Sequence, residues 1–85
     1  MPNKDKADKV NAIIADLAND LRPLVDRIEK RPLPTTKNNY GEYLALIGKL
    51  SRGDHNMGKI VTAALLDAGA NHAGVASAYK ISFGG

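Results

Sequence analysis

The chain predicts an all-α fold, on three observations. Lys59–Ala68 is apolar on nearly every side: Ile60, Val61, Ala63, Ala64, Leu65, Leu66 and Ala68, against only Lys59, Thr62 and Asp67. A helix apolar all round is a buried helix. Val10, Ile14, Leu17, Leu21, Leu24 and Ile28 are spaced 4-3-4-3-4, which is an a/d heptad seam. Tyr40, Tyr43, Leu44, Ile47 and Leu50 also recur at helical spacing. The expected architecture is a small helical domain of three short helices plus a long N-terminal helix, kinked or divided at a proline.

The N-terminal helix is expected over 4–31, with Asn3 or Asp5 able to cap it. Ile13, Ala18 and Val25 widen its seam into a stripe, a width that suits packing against more than one neighbour. Asp16, Asn19, Arg22, Asp26, Glu29 and Lys30 line the opposite face. Pro23 removes one backbone bond and costs on the order of 3 kcal/mol in a helix interior. The pattern therefore reads as one bent helix or as two meeting near Leu21–Pro23. An unbroken helix of 28 residues spans about 42 Å. Such a helix in so small a chain must protrude or pack on another copy, which predicts self-association. The alternative is a kinked helix that folds back over the central pair. Val10, Ile14, Leu17, Leu21, Leu24 and Ile28 are the expected oligomer or partner interface.

Residues 32–38 read as a linker, because Pro32 and Pro34 fix an extended path. A folded unit over 39–85 follows. Asn39-Tyr40-Gly41-Glu42 fits a capping box opening a helix near 40–51. Ser51–Asn56 is a turn, with Asp54 or Asn56 capping a central helix over 57–68. Gly69 stops that helix, since glycine enters the left-handed conformation without a Cβ clash. Asn71 caps a last helix over 72–81. Ser82–Gly85 is too short for an element of its own, and Phe83 there needs a groove or a neighbour to dock on.

Length and charge bound the function. Eighty-five residues make one domain at most, with a small core. There is no Cys, hence no disulfide and no thiolate metal site. No apolar run approaches the roughly 18–20 residues of a membrane span. The charged N-terminus leads into no signal-type apolar region. A cytoplasmic location is expected, with no membrane partner. The net charge of +3 is spread, with seven Lys/Arg and six Asp/Glu in residues 1–31. Charge alone does not drive nucleic-acid binding.

No motif builds a catalytic constellation. Gly53-x-x-x-x-Gly58-Lys59 matches most of a phosphate-binding loop but ends on Ile60, where Ser or Thr should hold Mg²⁺. The residues before it read as helix rather than strand. Arg52-Gly53-Asp54 matters as an integrin ligand only in an extracellular loop. His55 and His72 are lone histidines without metal-ligand spacing. No enzyme activity, cofactor or metal is expected.

Two stretches resemble known patterns. Leu65–Asn71 looks like the end of an ankyrin repeat's second helix, but the repeat period and the T-P-L-H opening are absent. A helix-turn-helix fits better. With Gly69 at the turn, Ala64, Ala68, Ala70, Val75 and Ala78 fall where the pair must be small or apolar. The recognition helix would then present Asn71, His72, Ser77, Tyr79 and Lys80, with Arg52 and Lys59 as further nucleic-acid contacts. One Lys and no Arg on that helix is poor equipment for reading bases.

Asn39–Ile47 (N-Y-G-E-Y-L-A-L-I) together with Ala68-Gly69-Ala70-Asn71-x-x-Gly74-Val75 resembles small uncharacterised proteins of tailed bacteriophages, over about residues 38–81. The resemblance implies a viral origin and a role in the particle or on a host protein. It carries no catalytic residue or cofactor. The expected function is thus a self-associating, non-enzymatic interaction protein. A helix-turn-helix nucleic-acid binder is the alternative.

Overall fold

The computed structural model describes residues 2–31 and 38–84, with side chains of the first segment from Lys6 onward. Among the described residues four helices follow in order: α1 (Pro2–Lys30), α2 (Tyr40–Ser51), α3 (His55–Asp67) and α4 (His72–Phe83). The expected linker at 32–38 lies outside the described residues except for Asn38.

α1 is one helix of 29 residues. At 1.5 Å per residue it is about 43 Å long, against a longest molecular dimension of 49 Å and cross-dimensions of 27 and 19 Å. It runs unbroken through Pro23, so the two-helix alternative falls. Pro23 and Asn19, whose carbonyl loses its helical partner, are both exposed. Water can take the place of the missing bond there, which is why proline is tolerated.

α1 plays two roles along its length. Ala18, Leu21, Val25 and Ile28 are buried in the core. Ile14, Leu17 and Leu24 are partly covered against it. Before them, Lys6–Lys9 is exposed, Val10 is half-buried and Ile13 is 50% exposed. The second half of α1 is therefore part of the folded body and the first half leaves it. The division expected at residue 31 does not separate two packed units. The seam's later residues meet Val61, Ala64 and Leu65 of α3 within one cluster.

α3 packs against each of the other three helices, as its all-round apolar pattern predicts. Val61, Ala64 and Leu65 have no exposed surface. Burying a Val or Leu side chain fully contributes about 1.5–3 kcal/mol. Asp54 starts α3 by accepting from the backbone N–H of Asn56 at 2.9 Å and of Met57 at 3.3 Å. The end is a Schellman motif: Ala70 N–H donates to the Leu65 carbonyl at 2.9 Å and Gly69 N–H to Leu66 at 3.1 Å. Gly69 has φ 101°, which a residue with a Cβ resists. Asn71 then caps α4, accepting from Gly74 N–H at 3.1 Å.

α4 pairs closely with α2. Gly74 permits the approach, because a Cβ there would lie 1.7 Å from the Asn38 carbonyl oxygen. The helix also runs past the expected end at Ile81. Phe83 belongs to it and is half-buried rather than on a loose tail. Its ring occupies the space a side chain on Gly58 would need and stacks on His55 at 5.0 Å between centroids.

Candidate interaction surface

The six seam residues expected to bind a partner do not form one surface. Leu21 and Ile28 are 7% and 6% exposed and belong to the chain's own core. The 3.5-residue repeat continues through them because α3 and its neighbours supply the facing residues that a second copy was expected to supply. Leu24, Leu17 and Ile14 are half-buried against the same core. Only Val10 sits beyond that cluster. It is joined by Ile13, which the a/d seam leaves out. The signal for Ile13 was present in the i, i+3, i+4, i+7 spacing of Val10, Ile13, Ile14 and Leu17, a helical stripe rather than a heptad seam.

This stripe lies on the half of α1 that projects. Lys6 and Lys9 precede it, Asp16 and Asp20 follow its centre, and all four are exposed. An isolated helix shorter than about 12–15 residues is marginal in water, and most helical stability comes from packing an apolar face. The projecting half is continuous with an anchored half, which supplies its nucleus. Its apolar stripe is nonetheless only partly covered.

At the other end of α1, Glu29 joins three elements. Its Oε2 accepts from the Tyr43 hydroxyl, from Asn39 Nδ2 at 3.3 Å and from the Asn71 backbone N–H at 3.1 Å. These donors come from α2, from the residue before it and from the α3–α4 turn. Burial, reinforced by the Glu29 carboxylate, holds the Tyr43 phenol well above its usual titration range. The capping box expected at Asn39 does not form. Asn39 adopts φ 57° with no side-chain cap bond and turns its amide to Glu29. Tyr40 N–H is held instead by Asn38 Oδ1 at 3.2 Å, and Glu42 lies 3.8 Å from Arg31. Sequence spacing suggested a local cap, and a carboxylate ten residues away captured the amide.

The residues of the nucleic-acid alternative are dispersed. Asn71 is committed twice, its side chain to the α4 cap and its N–H to Glu29. His72 and Lys80 are exposed and Ser77 is half-buried. Tyr79 is held by His55, whose Nε2 lies 2.6 Å from the Tyr79 hydroxyl. That contact joins the start of α3 to the end of α4, so the two helices lie side by side as a hairpin. A splayed recognition pair would separate those ends by roughly the 18 Å length of α4. Arg52 and Lys59 are exposed at the far end of this hairpin from Asn71 and His72. Ala73, Ala76 and Ile81 make up much of the remaining exposed surface of α4.

Among the described residues no three His, Asp or Glu side chains gather as a metal site would require. No helix among them is long and apolar enough to cross a membrane. No family model, curated protein or solved structure matches the chain.

Proposed function

We propose that this is a phage-encoded, non-enzymatic interaction protein that self-associates through the projecting first half of α1 and acts in a particle or on a host protein. The observation that carries the reading is the half-exposed Ile13, set in one helical stripe with Val10 on a helix that extends beyond its own body. A polar helix has no need of that stripe. Removing apolar area from water is favourable by about 25 cal/mol per Å², which gives the stripe a reason to be covered. The likeness of residues 38–81 to small tailed-phage proteins supports the viral assignment.

The test is the mass of the wild type and of Ile13→Asp by sedimentation velocity across a concentration series. The wild type is expected to associate at micromolar concentration. Ile13→Asp is expected to be monomeric with an unchanged helical circular dichroism spectrum. A wild type that stays monomeric at high micromolar concentration would refute the reading. Leu21→Asp is no substitute, because it places a carboxylate in the core and is expected to unfold the body.

A further inference from the structure

Charge along α1 says how two copies would meet. Lys6 and Asp20 each stand seven residues from Ile13, one before it and one after. Seven residues are almost two full turns, so Lys6, Ile13 and Asp20 share one line along the helix. Lys9 and Asp16 lie just beside that line, again before and after Ile13. All four charged side chains are exposed and border the apolar stripe on its Ile13 edge. The edge is therefore cationic at its start, apolar at its middle and anionic at its end. The opposite edge of the helix is occupied by the body, where Ala18 is fully buried.

Such an edge is complementary to itself when reversed. Resting on the self-association proposed above, we infer that two copies pair antiparallel along the first half of α1, about a two-fold axis at Ile13. Ile13 packs on the partner's Ile13, Lys6 faces the partner's Asp20, and Lys9 faces the partner's Asp16. Each contact occurs twice, as an isologous interface requires. A parallel pair in register would set Lys6 against Lys6 and Asp20 against Asp20, and like charges placed opposite each other repel. The antiparallel pair also carries the two folded bodies at opposite ends, where they do not compete for space. The occupant is a second copy because one edge supplies both halves of the charge pattern.

The chain has no cysteine, so introduced ones report without background. Lys6→Cys and Asp20→Cys are made separately, mixed in equal amounts and oxidised mildly, and the products are read by intact mass. The antiparallel pair predicts the mixed disulfide as the dominant product. Sedimentation of the two variants before oxidation shows whether each still associates. Predominant Lys6→Cys and Asp20→Cys homodisulfides would overturn the antiparallel inference and leave self-association standing. A monomeric wild type would remove both. Should either single variant weaken association, a chain carrying both Lys6→Cys and Asp20→Cys is oxidised at higher concentration. The antiparallel pair then gives 6-to-20 links between chains on peptide mapping, and the parallel pair gives 6-to-6 and 20-to-20.

Discussion

Glu29 shows how one side chain can hold distant parts of a small chain in register. Three donors converge on one carboxylate oxygen, from Asn39, Tyr43 and Asn71. Hydrogen bonds to a charged group contribute about 1.5–3 kcal/mol each, a large share of the stability of a domain this size. Tyr43 has no exposed surface, and its phenol must stay protonated in the folded state. The unfolded phenol releases its proton near pH 10. Its contribution is therefore fully present below that pH and falls as pH rises above it, because the unfolded state then binds fewer protons. Thermal unfolding from neutral pH into the strongly alkaline range is expected to show this loss, and Tyr43→Phe should flatten the alkaline decline. Little of this was visible in the sequence. Glu29 looked like one more charge on a solvated face, since nothing local indicates that donors 10, 14 and 42 residues away will reach it.

Among the elements, the helices themselves were legible and their partners were not. α2 was readable near its observed span from its apolar spacing, although the cap expected at Asn39 does not form, and the α3–α4 turn was readable from Gly69 and Asn71, because periodicity and turn chemistry are local physics. What α1 packs against was not, since a heptad seam is satisfied equally by another copy or by the chain's own α3. Two glycines test the packing of α4. Gly74→Ala drives a methyl into the Asn38 backbone, which cannot move without shifting the start of α2. A loss of roughly 1–3 kcal/mol is expected by urea denaturation, despite the gain in helix propensity. Gly58→Ala meets only the Phe83 ring, which can swing away. Its helix-propensity gain of up to about 1 kcal/mol should offset much of the lost ring contact. The pair of measurements separates a backbone clash from a movable side chain. Equal losses at the two positions would argue against the close α2–α4 approach.

For the whole molecule, the radius of gyration of 13.2 Å exceeds the roughly 12 Å expected of an ordinary domain of 85 residues. The excess follows from α1, which spans most of the long axis. The sequence foretold that so long a helix cannot be wholly covered by so small a chain. It did not show which part would stay outside, because the boundary near Ile14 is set by where α3 and its neighbours end rather than by any change in the seam. The same geometry separates two kinds of substitution on one helix. Changes at Val10 and Ile13 should alter the proposed self-association and leave the fold, while changes at Leu21, Val25 and Ile28 should act on the fold first.

That an anchored rod continues into solvent also sets a gradient along it. Amide protons from Ala18 back to Ile14 inherit the protection of the core, and each turn from there toward Lys6 is lent order only by the turn behind it. Hydrogen exchange in dilute solution should therefore quicken step by step toward the amino end. As concentration rises, the slow-exchanging zone should advance along the rod, so that the outer turns record how often they are accompanied.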